Sequence, residues 1–492
     1  MRADANQGAV FVEVGPYTLY VHAPGVLTEA EIRAAIGASL DPSNAVRQLT
    51  VAAQRSGVLA PKTLYARSGD VVYVSIAAGT IGSISAPAAL MPYFEGLRDQ
   101  EMLRLEDFEK KRLFASVHAS RMGENYTPVF SAQDGDDYAL ILKPAANTTS
   151  PGSVRLHFSN TGNRFTGREI LDLDVRRGLE SGDEFSALAR AATTALRIDD
   201  QEPDSDYHEM QLGWSRVTPL GFFSSSGRYL DYRQQVQGQA FNGELWTTDA
   251  SYTGVLRAST TNRITVQLKA DYVYKRLELD SNGLLLQEQA YPSLELGTAW
   301  SSSLRFFGRP WLSVATFSAR KGFGPSDISA PVFAEQDYWL LRPGYSLRSQ
   351  GGTWIAELQV SAQYAHDTVP EQQQSIVGGI GNLHAYVPGV ALGDRGLQAR
   401  AIVEHTPFNF GSIVLKPRLF LEFGAAEYAR QSVGGRPGTQ ALSDIGTEVA
   451  LGIGPWLELS LAAALPLHDA GVPRQVRDDA RADLFFRLNT RF

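Results

Sequence analysis

After residue 151, polar and apolar residues alternate with a period of two through to the end of the chain. Ile264, Val266, Leu268, Ala270, Tyr272 and Tyr274 share one face, and Arg263, Thr265, Gln267, Lys269 and Asp271 share the other. Trp354, Ala356, Leu358, Val360, Ala362 and Tyr364 repeat the pattern against Glu357, Gln359, Ser361 and Gln363. Successive side chains of a strand point to opposite sides, so each run predicts a strand with two unlike faces. Runs of about ten residues suit a tilted strand that crosses a bilayer, apolar toward lipid and polar toward a lumen. Soluble sandwiches use shorter strands, nearer five or six residues. At roughly twenty residues per strand and turn, the region holds about 16 antiparallel strands, and the expected fold is an all-β transmembrane barrel. Its last strand carries Leu484, Phe486, Leu488 and the terminal Phe492 on one face, with Asp483, Arg487, Asn489 and Arg491 opposite.

The first 147 residues read differently, as two modules of strand, helix, helix, strand, strand. In the first, residues 17–22 predict a strand, and Thr28 with Glu31 predicts a capping box at a helix start. Ile32, Ala35, Ile36 and Leu40 follow at helical spacing and are expected on one apolar face. A second helix carrying Val46, Leu49 and Ala53 stops at Gly57, and strands follow at 63–67 and 71–76. The second module runs through a strand at 81–85, a Pro-interrupted helical piece near Leu90, a helix over 106–120 and strands at 127–130 and 138–142. The polar stretch 144–151 links it to the barrel. The boundaries are 1–15 for an N-terminal segment, 16–78 and 79–147 for the modules, and 148–492 for the barrel.

Composition narrows the class. The 492 residues include 45 Gly, 23 Phe and 19 Tyr, yet only 20% are charged. No stretch reaches the roughly 18 apolar residues that a spanning helix needs, so a membrane span must be made of strands. With no cysteine, disulfides and thiolate metal sites are excluded. A net charge of −8 with scattered Lys and Arg speaks against a nucleic-acid partner. Residues 1–7 lack the basic stretch and apolar core of a secretory signal, so an export signal is expected outside this sequence. Gly-x-Ser-x-Gly and phosphate-loop motifs are absent and the eight histidines are scattered, so neither an enzyme, a cofactor nor a metal site is expected. Gly378, Gly379 and Gly381 resemble a fragment of a nucleotide loop, but without a strand-to-helix context they are expected to form a flexible loop root.

Within the barrel, residues 380–404 read IGNLHAYVPGVALGDRGLQARAIVE. Leu383, His384, Ala385 and Tyr386 are followed by Gly393, Asp394, Arg395 and Gly396, and then by Arg400. Downstream stand Phe420, Leu421, Glu422, Phe423 and Gly424, and near the barrel's start residues 160–167 read NTGNRFTG. In the order and spacing of these segments the chain resembles the two-partner-secretion transporters, the haemolysin or haemagglutinin secretion/activation proteins. The resemblance runs from about residue 16 to 492.

The resemblance implies polypeptide-transport-associated (POTRA) domains for the two α+β modules. It implies a long extracellular loop whose Val-Arg-Gly-Phe/Tyr tip folds into the lumen and bonds to the Asp of a Phe-x-Asp-x-Gly strand. In this sequence His384 stands for the tip Arg and Glu422 for the Asp. A histidine lacks the guanidinium fork and is charged only where its pKa is held up, so a looser latch, or one taken over by Arg395, is expected. Glu422 is expected to face inward with Arg418 and Phe420, against the outward set Leu419, Leu421 and Phe423. An ordinary lumen carboxylate, an exposed loop histidine and a simple turn at Asp394 and Arg395 are the bland alternatives. The family begins with a plug helix, for which the segment before Tyr17 is too short, so a lumen blocked by the loop alone is expected.

The function implied is transport across the outer membrane: capture of an unfolded partner polypeptide in the periplasm, and its secretion. Val129 and Phe130 on one edge strand, or Ile84 on the other, are expected to dock that cargo. Outer-membrane lipid and the barrel-assembly machinery, through Phe492, complete the expected partners. A barrel-assembly insertase and a passive porin stand as alternatives, and the porin leaves the first 147 residues unexplained.

Overall fold

A computed structural model describes the chain except residues 1–7, 99, 101, 134–136, 147–149, 164–166, 193–205, 237, 325–335 and 431–437. Part of the 160–167 motif therefore lies outside the described residues.

In the first module β1 (Val10–Val14), β2 (Tyr17–His22), β3 (Lys62–Ser68) and β4 (Val71–Ala77) form a mixed sheet in the order β1-β2-β4-β3. β1 lies inside the segment that the sequence leaves out of the module. Its alternation is only five residues long, and Gly15, at φ +60°, makes the turn into β2. α1 (Glu29–Ile36) and α2 (Pro42–Arg55) back the sheet. The capping box at α1 is present: Thr28 Oγ1 accepts from the Glu31 N–H, and the Glu31 carboxylate accepts from the Thr28 N–H at 2.8 Å. The bonds it accepts from the Thr28 N–H and hydroxyl hold the Glu31 carboxyl below its ordinary value. Leu40 departs from expectation, because α1 ends at Gly37, whose positive φ of +51° suits glycine, and Leu40 beyond it is 78% exposed.

The second module has β5 (Thr80–Ser85), β6 (Tyr126–Ala132) and β7 (Asp137–Pro144) in the order β5-β7-β6, with α3 (Met91–Phe94) and α4 (Leu105–Arg121). β5 and β6 are thus its edge strands. Phe108 of α4 meets Phe130 of β6 edge-on, with centroids 5.2 Å apart, inside a core that also takes Val217, Phe222 and Val255 from the barrel.

The barrel is a closed antiparallel sheet of 16 strands, in which Phe485–Arg491 pairs with Gly152–Ser159 to shut the ring. Trp246, Leu268, Leu296, Trp300, Phe317 and Leu419 project outward and are each at least 45% exposed, as a lipid-facing band requires. Several strands exceed the expected ten residues, up to the 23 of Leu284–Phe306. Their outer ends carry polar residues such as Arg276, Glu278 and Glu288, where the two faces no longer differ and the alternation fades. Among the described residues no helix is long and apolar enough to cross a membrane.

The second module sits on the barrel's near rim. Arg121 Nη1 donates to the Gly182 carbonyl at 2.5 Å and Nη2 to Ser215 Oγ at 2.6 Å, while its guanidinium covers the Phe222 ring. His118 Nε2 lies 2.8 Å from the Glu180 carbonyl, and the Tyr93 hydroxyl donates to the Val217 carbonyl at 3.0 Å. Burial pushes the Tyr93 phenol up to about 12, so it keeps the proton it donates.

Candidate functional site: the tip loop and its wall

Strand register assembles the wall. Along Ile413–Glu427, alternation sends Phe420, Glu422, Gly424 and Ala426 inward. Glu422 is paired in register with Arg400 on one side and with Asp444 on the other. Three neighbouring strands thus present a row of Arg, Glu and Asp to the lumen. Two glycines hollow the wall beside it. A Cβ on Gly446 would come within 2.3 Å of the Phe420 ring, and one on Gly424 within 2.6 Å of Val377 Cγ1.

The loop between the strands Trp354–Ala365 and Arg395–His405 folds back into this hollow. Its root turns through Gly378 and Gly379 at φ +107° and +91°, where a Cβ would run into the Val387 carbonyl or Pro388. Leu383, His384, Ala385, Tyr386 and Val387 are all buried. The Gly379 N–H donates to the Tyr386 carbonyl at 2.7 Å, which closes the tip into a compact turn.

The expected pair is in contact. His384 donates its backbone N–H to Glu422 Oε2 at 2.9 Å, and its Nδ1 lies 2.8 Å from the same oxygen. The imidazole stacks on Phe420 with centroids 4.3 Å apart. Arg400 Nε approaches Glu422 Oε1 to 2.7 Å, a charge contact rather than an aligned hydrogen bond. The guanidinium that a histidine tip lacks is therefore supplied from the wall. Arg395 does not take over the latch, contrary to one expectation. It stays at the outer rim, donating to the Ala365 carbonyl at 2.9 Å and pairing with Glu427 at 3.1 Å, above the Tyr364 ring. Asp394, fully buried, braces two loops by accepting from the Val369 N–H at 3.0 Å and the Ala429 N–H at 2.9 Å.

Sequence reasoning missed two partners of the tip. Asp444 Oδ2 accepts the Ala385 N–H at 2.7 Å, and the only sequence signal for it is the inward phase of Leu442, Asp444, Gly446 and Glu448. The other is the stretch after a short helix, α5 (Arg474–Ala480), just ahead of the last strand. The Val387 N–H donates to the Ala480 carbonyl at 2.8 Å and the Ala482 N–H to the Ala385 carbonyl at 3.0 Å. Tyr386 consequently faces Arg481 in a one-residue β-bridge.

The expected docking residues fall on the edge strands of the second module, but Val129 points the wrong way. Asn125 accepts from Ala145 at 2.8 Å and Gln133 donates to Asp137 at 2.9 Å. Hydrogen-bonded pairs of an antiparallel ladder recur every second residue, so Val129, paired with Ile141, turns its N–H toward β7. The free edge belongs to Tyr126, Phe130 and Ala132, and to Pro128, whose missing N–H is tolerated there. Ile84 lies on β5 with its side chain partly buried against the module's core.

Comparison with known proteins agrees with this architecture. Residues 140–447 match the family model of the haemolysin secretion/activation proteins ShlB/FhaC/HecB. CdiB from Escherichia coli superposes with a TM-score of 0.77 at 16% identity, covering 100% of this chain and 92% of that one. CdiB from Acinetobacter baumannii does so at 0.70 and 14% identity, over 98% of this chain and 90% of that one. No curated protein sequence is significantly similar to the chain. With a family match over more than half its length, on a POTRA-plus-barrel fold, the chain belongs to the haemolysin secretion/activation protein family, the two-partner-secretion transporters of the outer membrane, with its POTRA modules in the periplasm.

Proposed function

We propose that this transporter captures an unfolded partner polypeptide in the periplasm, on a free strand edge of its second POTRA module, and threads it through the barrel past the latched tip loop. The observation that carries this reading is the outward-facing edge of β6 on a module fixed to the barrel's rim. An extended peptide added there forms main-chain bonds that tolerate varied side chains and release stepwise. No nucleotide is required, because folding of the emerging cargo outside the cell can draw the chain through.

In this reading the modules occupy 16–78 and 79–147, the first taking in Val10–Val14 as well, and the barrel 148–492. His384, Glu422 and Arg400 hold the tip, with Tyr386 and Phe420 packed around them and Gly424 leaving room. Asp394 and Arg395 fix the loop's outer end. The outward band meets lipid, and Phe492, 78% exposed at the end of the last strand, is offered to the barrel-assembly machinery.

Proline scanning of β6 tests capture. Ala132→Pro removes an outward donor at an exposed position and is expected to lower secretion of the partner while the barrel stays heat-modifiable. Val129→Pro breaks the bond to β7 and is expected to disturb the module itself. Unimpaired secretion by Ala132→Pro, with the corresponding edge of β5 also blocked by proline, contradicts capture by strand addition.

A further inference from the structure

Among the described residues, two cavities of the lumen wall are similar in size and opposite in character. One, of about 570 Å³, lies against the strands between Gln239 and His405. The other, of about 640 Å³, lies across the barrel between the first three strands and the last few. The second is charged: Asp174, Arg176, Arg190, Lys416, Glu458 and Arg491 line it, some already paired, as Arg176 is with Asp174 at 3.1 Å. The first is floored by small uncharged residues. Glu295 and Arg342, which also border it, are 3.6 Å apart and tied into an ion-pair cluster with Arg320.

Register joins those small residues into a continuous band. Thr253 pairs with Gln267 and Gln267 with Gly297; two residues further along that strand, Ala299 pairs with Thr316 and Thr316 with Gly344. Gly344 then pairs with Ser361, and Ser361 with Gln398. Both ends of the band are significant. Thr253 stands two residues from Val255, which packs into the core of the second POTRA module. Gln398 Nε2 donates to the Ile376 carbonyl at 2.8 Å, at the root of the tip loop.

We propose that this uncharged band, from Thr253 to Gln398, is the track along which the extended cargo chain crosses the lumen. It rests on the transport reading above and adds the path. A translocating polypeptide presents every kind of side chain in turn. Fixed charges on the charged wall, partly shielded from water, hold each oppositely charged residue and repel each like one. Hydroxyls and amides on the uncharged band bond the main chain and exchange those bonds with water. Glycines at 297 and 344 keep it wide. The band also begins where the cargo-docking module is fixed and ends where the obstructing loop is rooted.

The test uses the full chain in planar bilayers, with a synthetic unstructured polypeptide rich in Ser, Asn and Gly added on the POTRA side. Gly297→Trp fills the band, and its Cβ has room, with the nearest atoms 3.8 Å away. Gly452→Trp fills the charged cavity, where the nearest atom to its Cβ is 3.7 Å away. Ser361→Trp decides the matter if Gly297→Trp does not yield a heat-modifiable barrel. The wild type is expected to show polypeptide-induced current blockades, lost in Gly297→Trp and Ser361→Trp and kept in Gly452→Trp. Blockades that survive both band variants, disappear only in Gly452→Trp, or disappear equally in all three overturn the track and leave transport standing. A wild-type pore that conducts ions but is never blocked by the polypeptide contradicts the transport reading, and the track with it.

Discussion

Two walls of one barrel obey the same alternation and are built for different tasks. On the strands from Arg395 to Phe485, inward positions hold large or ionised residues such as Arg400, Phe420, Glu422, Asp444 and Glu448, and the tip loop packs against them. On the strands from Gln239 to Ala365, the inward residues beside the open cavity are mostly Thr, Ser, Gln and Gly, while Arg320, Arg342 and Gln363 bond Gln373 at the base of the loop. Lipid constrains only the outward half of each strand. The inward half is free to differ, and the difference separates the wall that grips the tip of the loop from the wall that holds only its base beside an open cavity.

The strongest way to break this contrast is at Glu422. Its carboxylate serves the His384 N–H and imidazole and the Arg400 guanidinium, all away from water. Removing one member of a buried, hydrogen-bonded charge set costs about 3–5 kcal/mol. Glu422→Ala is expected to leave an intact barrel, to free the tip loop for limited proteolysis from outside, and to reduce secretion.

Asp444→Ala comes next. It leaves the Ala385 N–H unpaired and costs roughly 1–3 kcal/mol, so intermediate loop protease sensitivity is expected between wild type and Glu422→Ala. Sensitivity equal to that of Glu422→Ala would instead make the two acids one indivisible unit.

Deleting residues 382–392 removes the tip without touching either wall. Mean single-channel conductance is expected to rise, and unchanged conductance removes the loop from the lumen.

The smallest effect is expected at the rim. Arg121→Gln forfeits charge-assisted bonds to Gly182 and Ser215, each worth about 1.5–3 kcal/mol in full but partly replaced by the amide. Spin labels on the second module and the barrel rim should report a broader distance distribution, with the isolated latch unchanged.

The sequence made the barrel legible because lipid imposes a period of two for tens of residues at a stretch, as at Ile264 to Tyr274. It made His384 and Glu422 legible because motif spacing survives a change of residue type. Asp444 stayed hidden because nothing local marks it. It meets the tip across 59 residues of chain, through a register that only the closed barrel sets. Arg400 was visible as a motif position but not as the supplier of the missing charge, which follows from its pairing with Glu422. Leu40 misled because helical spacing continues past the glycine that ends α1. β1 was overlooked because five alternating residues are too few to stand out. The N–H direction at Val129 is a matter of ladder phase, which residue identity does not carry, although Pro128 beside it hints at the free edge.

The central claim is that one wall holds the tip loop through Glu422. The most direct measurement is the distance distribution between spin labels at Pro388 on the loop and Leu421 on the outer face, in wild type and in Glu422→Ala. The wild type is predicted to give one narrow distribution and the variant a broad one with longer distances. A narrow distribution at the wild-type distance in Glu422→Ala contradicts the claim.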